Sequence, residues 1–273
     1  GNPVYDAPAD LNFAERLSRA AHVIHLSYHV NETSRHGAVQ WHVPRAHALE
    51  AWGDTMAFDG TVALQQPMIA PIYDGLSDAE LMALLGGQPL TRGYDILRAF
   101  HRGDEAEGPA FEARWEQMLH DGLVPGTAGT IAALGAPAAG SASVGAELAE
   151  AASAAAPTGD AMELIFQADH HLFDGRYANN GWLQEAPDPV TRISWDNAAL
   201  ISPATAEALR APLGTYINIE VDGQSVKIPA WTLPGMADNV VVVRLGYGRA
   251  DAGRVAEGVG FNVYPLRTLA GLH

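Results

Sequence analysis

The spacing of apolar residues changes along the chain, and the changes mark out its elements. Leu11, Ala14, Leu17 and Ala21 recur at helical spacing behind Asp10, which predicts an N-capped helix. The run 22–29, with β-branched Val23 and Ile24, reads as a short strand. Further on, Ser77 and Glu80 form a capping box, in which each side chain satisfies an orphan amide of the first turn. Leu81, Leu84 and Leu85 follow on one predicted helix face. Phe111, Trp115, Met118 and Leu119 repeat the spacing after Pro109, and Gly122 stops the run. Such a stripe is core rather than a cofactor site.

From Val124 to Asp160 the periodicity disappears and the residues are almost all Ala, Gly, Pro, Ser and Thr, the mark of a linker or surface insertion. It admits a marginal helix over 146–155. Beyond it the pattern becomes that of strands and turns. Val190–Trp195 reads as extended, and Ser202 with Pro203 opens a short helix that ends near Arg210. Tyr216–Val221 and Ser225–Trp231 alternate on either side of Asp222-Gly223, a hairpin with a type I′ turn. The run 239–245, NVVVVRL, is apolar enough for a strand covered on both faces. Residues 1–123 are thus expected to form an α/β portion, 124–160 a linker, and 161–273 a small, mainly-β barrel with an interposed helix.

Composition narrows the function. With 273 residues, 48% of them apolar, the chain can bury a core and is expected to form about two domains. A net charge of -16 disfavours nucleic acid and anionic lipid as partners. No apolar run approaches the roughly 20 residues that cross a bilayer, and no signal-peptide pattern opens the chain. Its start at Gly1 without Met suggests a processed product or, preferably, an excised piece of something longer. The absence of cysteine rules out disulfides, Cys zinc sites and thiolate-held iron–sulfur clusters within the sequence.

Candidate chemistry is sparse. The GxSxG, GxxxxGK[ST], HExxH and EF-hand signatures are absent, which removes the support for a free-standing hydrolase. Among eleven histidines, His25 and His29 would share a strand face with His36, His42 and His47 close behind, whereas adjacent His170 and His171 would point to opposite faces of a strand. That spacing supports solvated or hydrogen-bonded imidazoles over a metal centre, and no metal ligand is assigned. The segment Gly246–Gly253, GYGRADAG, directly follows the 239–245 strand. Its glycines would let backbone amides approach a phosphate or pterin, and a flexible barrel loop is the plainer reading.

Five strings together resemble one known family: GNPVYDAPADLNF (1–13), NETSRHGAVQWHVPRAHALEAWGD (31–54), DGTVALQQPMIAPIYDG (59–75), WDNAALISPATAEAL (195–209) and PGMADNVVVVRLGYGRADAGRVAEGVGFNVYPLR (234–267). They are similar to successive segments of the molybdopterin-oxidoreductase-like iron–sulfur subunit of bacterial alternative complex III, a quinol:electron-acceptor oxidoreductase, and less closely to the dimethyl sulfoxide reductase family. The resemblance implies a C-terminal fragment: an α/β portion followed by a six-stranded double-psi β-barrel of the molybdopterin dinucleotide-binding type over Gly214–Gly260.

It further implies that Asn2 and Pro3 close a strand of the α/β portion, that Glu32 and Thr33 open the next segment, and that Leu49, Glu50 and Gly53 precede a cofactor-facing loop. Asn262 and Tyr264 would make polar contacts to a pterin. With Gly246, Tyr247, Gly248 and Arg249 of the glycine-rich loop, Asn2, Pro3, Glu32, Thr33, Asn262 and Tyr264 are the candidate cofactor-binding residues, and none is assigned as catalytic.

Subunits of this kind keep the molybdopterin fold without the cofactor, so the fragment is expected to be a scaffold without pterin and not catalytic on its own, with iron–sulfur clusters only in parts of the subunit outside it. The implied setting is a respiratory electron-transport complex, on the periplasmic side of a bacterial membrane. The implied partners are its other subunits and a cytochrome, which the acidic surface would steer electrostatically. The alternative is half of the bis-pterin site of a true molybdenum oxidoreductase, holding molybdopterin guanine dinucleotide.

Overall fold

The structure is a computed structural model that describes residues 1–130, 145 and 161–271. In chain order its strands are β1 (Ile24–Ser27), β2 (Trp41–Pro44), β3 (Gly53–Met56), β4 (Val62–Gln65), β5 (Glu163–Gln167), β6 (Ala199–Ile201), β7 (Tyr216–Val221), β8 (Gln224–Thr232) and β9 (Val240–Arg244). The helices are α1 (Pro3–Asp6), α2 (Phe13–Leu17), α3 (Glu32–Arg35), α4 (Asp78–Leu85), α5 (Gly93–Arg102), α6 (Pro109–Asp121), α7 (Gly181–Glu185) and α8 (Pro203–Ala208).

Two compact units share these elements. One comprises Gly1–His25, His29–Trp41 and Glu150–His273, the other Leu26–Tyr28 and His42–Ala149. This division differs from the expected boundary after residue 123: most of the first 41 residues group with the C-terminal part. Long-range pairs that no local pattern encodes cause this, such as the Ala9 amide donating to the Arg267 carbonyl at 2.8 Å.

The first unit is a mixed α/β body around a curled half-barrel sheet with strand order β5-β9-β6-β8-β7. β9 lies inside it, parallel to β5 and antiparallel to β6, and its buried Val241 and Val243 alternate with half-covered neighbours. The hairpin of β7 and β8 forms as its sequence predicts, with Asp222 and Gly223 at φ 49° and 80°, the two positive values that a type I′ turn requires. Ser202 accepts the Thr205 amide and caps α8 as expected.

Three local expectations fail in this unit. The helix expected from Asp10 is broken, because Asn12 takes φ 47° and separates a 3₁₀ turn, Ala9–Leu11, from α2. Val190–Trp195 is not extended: Asp188 Oδ1 accepts the amides of Val190 and Thr191, and Arg192 and Trp195 have positive φ. His170 and His171 lie in a turn closed by Asp169 Oδ1, which accepts the amides of His171 and Leu172.

In the second unit β3 and β4 form an antiparallel hairpin, and Leu64 of β4 shares a core with Leu97 of α5 and Phe111, Trp115 and Met118 of α6. The aromatic stripe of α6 is core, as its spacing predicts; Trp115 is only 1% exposed and donates its indole N–H to Tyr94 Oη at 3.0 Å. Gly122 ends the helix at φ 69°. The capping box is also present: Ser77 Oγ accepts the Glu80 amide at 3.2 Å, and Glu80 accepts the Ser77 amide at 2.9 Å. Glu80 Oε1 in addition accepts the Gly93 amide and so ties α4 to the start of α5. Ser77→Ala should therefore lower the unfolding free energy by about 1 kcal/mol, read from the midpoint of urea denaturation.

Leu84 and Leu85 contradict the expected buried face; they are 57% and 56% exposed, and Leu81 and Ala83 are buried instead. The described start of the expected linker pairs with β4: the Val124 amide donates to the Val62 carbonyl at 2.9 Å. The helix expected over 146–155 lies outside the described residues.

Candidate functional site

Four of the residues singled out by sequence meet in one hydrogen-bonded clasp within the first unit. Asn2 stands at the N-terminus of α1, where Pro3 is the first helical residue, but its side chain does not cap that helix. It reaches α3 instead: Asn2 Oδ1 accepts the Thr33 amide at 3.0 Å and the Thr33 hydroxyl at 2.9 Å, and Asn2 Nδ2 donates to Glu32 Oε2 at 2.6 Å. α3 is held for this by its own capping box, in which Asn31 accepts the Ser34 amide.

At the centre, Arg249 forks onto Glu32, Nε donating to Oε1 at 2.8 Å and Nη2 to Oε2 at 2.7 Å. The two side chains are only 7% and 11% exposed. Arg249 Nη1 donates to the Gly175 carbonyl at 2.7 Å, and its guanidinium lies 4.8 Å from the centre of the Tyr5 ring, a cation–π contact. The amides of Ala250 and Asp251 complete the shell around Glu32 Oε1. Both carboxylate oxygens thus accept at least two hydrogen bonds, the condition under which a buried ion pair is tolerated.

Burial alone would push the Glu32 carboxyl up, but the hydrogen bonds from Arg249, the backbone and Asn2 outweigh it and hold its pKa at about 2, against an ordinary 4.5. The folded-state value is depressed, so the stabilisation from ionised Glu32 is full above about pH 4.5 and is lost as pH falls toward 2. Glu32→Gln should flatten the pH dependence of the unfolding midpoint within that window.

The glycine-rich loop is neither an open cradle nor a loose turn. A Cβ on Gly246, at φ 102°, would lie 2.9 Å from the Gly175 amide nitrogen, and one on Gly248, at φ 65°, would lie 2.1 Å from the Asn262 amide nitrogen. These glycines admit the protein's own backbone, which fills the space that a phosphate would need. Between them the Tyr247 carbonyl accepts the Tyr5 hydroxyl at 2.6 Å. The Tyr247 ring lines a small hollow with Asp169, Asp188, Asp196 and Arg244, and burial raises its phenol pKa, with those carboxylates adding to the effect.

The remaining candidates, Pro3, Asn262 and Tyr264, line a cleft of about 380 Å³ beside α1 and α2, together with Asn12, Phe13 and Glu15. Tyr264 packs edge-on against Tyr5 with ring centres 4.7 Å apart and donates its hydroxyl to the Asp174 carbonyl at 3.0 Å. Asn262 Oδ1 accepts the Tyr264 amide. At the back of this region burial raises the pKa of Asp6, and the Asp174 carboxylate adds to it.

Sequence reading missed Tyr5, Gly175 and the Ala250 and Asp251 amides. Tyr5 follows the Asn-Pro pair directly and offered a weak signal; the others act through backbone atoms, which leave no mark on residue type. Leu49, Glu50 and Gly53 belong to the second unit. The expected histidine face does not form, because β1 ends at Ser27, before His29. Among the described residues no three His, Asp or Glu side chains come together in a way that would hold a metal ion.

No protein-family model matches the chain, and none of the curated proteins matches it. Among solved structures it is similar to acetylene hydratase from Pelobacter acetylenicus, with a TM-score of 0.56 and 16% sequence identity. The match covers 96% of this chain and 38% of that one, so the chain has the fold of little more than a third of the hydratase.

Proposed function

We propose that the chain is part of a molybdopterin-oxidoreductase-like subunit of alternative complex III, and that it serves there as a scaffold without bound pterin. The fold supports the wider family: acetylene hydratase has the molybdopterin-oxidoreductase fold. The five strings quoted above support the narrower one. On this reading the half-barrel sheet corresponds to the double-psi barrel of the dinucleotide-binding domain. The partners are the other subunits of a quinol-oxidising membrane complex and a cytochrome, and the segment lies on the periplasmic side.

The observation that carries the scaffold reading is the clasp. Asn2, Glu32, Thr33 and Arg249 direct their polar atoms at one another, and Gly246 and Gly248 are closed by the backbone of Gly175 and Asn262. This set does not fit a pterin, because a ligand would have to displace a buried, fully bonded ion pair to reach it. Its work is to join the N-terminal segment, α3 and the loop after β9.

A second reading draws on the cleft. Pro3, Asn262 and Tyr264 line a space of about 380 Å³, which favours half of a bis-pterin site in a true molybdenum oxidoreductase. Elemental analysis for molybdenum and tungsten, with fluorescence of the oxidised pterin, on the purified full-length subunit separates the two. The scaffold reading expects neither metal nor pterin beside intact iron–sulfur clusters, and stoichiometric metal with pterin would overturn it.

A further inference from the structure

The second unit carries a surface that neither the clasp nor the cleft uses. Its loop 67–73 displays Met68, Ile69, Ile72 and Tyr73 to solvent, Tyr73 being 79% exposed, and Leu49 is exposed beside them. The display is held in place. The amides of Met68 and Ile69 both donate to the Leu49 carbonyl, at 2.8 and 3.2 Å. Glu50 acts as a hook, Oε1 accepting the Ile72 amide at 3.1 Å and Oε2 the His47 amide at 2.9 Å. Pro67 and Pro71 fix two backbone angles within the loop. Five apolar side chains are therefore presented on a pre-ordered backbone, which lowers the entropy lost on binding.

Charge selects what would cover them. The stretch 42–149 contains fourteen carboxylates, five arginines and no lysine. Each arginine is already within ion-pair range of a carboxylate: Arg45 of Asp78, Arg92 of Asp95, Arg98 and Arg102 of Glu107, and Arg114 of Glu105. Asp74, exposed at the end of the loop, has no ion pair among the described residues. The five arginines of this unit each stand near one of its own carboxylates, while the acidic excess is open to a basic partner. A second copy of the chain brings the same negative charge and is repelled.

We propose that the apolar knuckle formed by Leu49, Met68, Ile69, Ile72 and Tyr73 is a docking face for a basic protein segment, one that presents apolar side chains framed by Lys and Arg. The proposal does not depend on whether a pterin binds. Its test titrates a labelled amphipathic Leu/Lys helical peptide onto the whole chain at low and high salt, with the unmodified protein, Ile72→Ser/Tyr73→Ser and Asp74→Lys.

The expected result is binding that weakens with salt and falls about tenfold in the Ser/Ser variant and measurably in Asp74→Lys. All three substituted side chains are exposed, so an unchanged unfolding midpoint shows that the variants are folded. Equal affinity of all three proteins would place the peptide elsewhere on the acidic surface and overturn the assignment, as would no binding at low salt. Dimerisation in sedimentation that Ile72→Ser/Tyr73→Ser abolishes would overturn it as well, by assigning the face to a second copy.

Discussion

Arg249→Met should destabilise the chain by about 3 to 5 kcal/mol, because it leaves Glu32 buried without its cation. The loss is large since Arg249 serves three places at once: both oxygens of Glu32, the Gly175 carbonyl and the face of Tyr5. The measurement is urea denaturation followed by far-ultraviolet circular dichroism, with the midpoint compared at pH 7. Adding Glu32→Gln to Arg249→Met should recover part of the loss, since no charge is then left unpaired. A drop below about 1 kcal/mol, the range of a surface pair, would show that the clasp is solvated and not structural.

Gly248→Ala should cost about 3 kcal/mol or more. Two effects add: an L-residue at φ 65° is strained, and the new methyl would start 2.1 Å from the Asn262 amide nitrogen, so backbone must move. Gly258→Ala is the control, having a similar φ of 72° with no heavy atom within 4 Å of the added Cβ. If the two variants lost the same stability, the close approach of the 246–248 backbone to Asn262 would carry no weight, and the loop would be the loose turn that its composition suggests.

A cofactor site on a rigid scaffold needs polar groups left free to meet a ligand. Here the polar groups of Asn2, Glu32, Thr33 and Arg249 satisfy one another and join three segments of the chain. The three segments are the one around Asn2, α3 and the loop after β9, which are far apart in sequence; Glu32 and Arg249 are separated by 217 positions. The same geometry explains why the first 41 residues join the C-terminal unit for the most part.

What the sequence by itself determined was local. The box of Ser77 and Glu80, the α6 stripe from Phe111 to Met118, the Asp222-Gly223 hairpin and the cap at Ser202 are each written in residues a few positions apart, whose propensities and hydrogen bonds agree. The short-range rules failed at Asn12, which turns left-handed, and at Asp188, whose carboxylate gathers two amides and breaks the 190–195 run. Asn2, Glu32, Thr33 and Arg249 stand in the quoted strings, which singled them out as residues without indicating their partners. That they bond to one another rather than line a pocket was decided only by tertiary structure. Residue type says that a side chain can donate or accept, but burial and the approach of distant backbone, such as Gly175 to Gly246 and Asn262 to Gly248, decide which partner it finds.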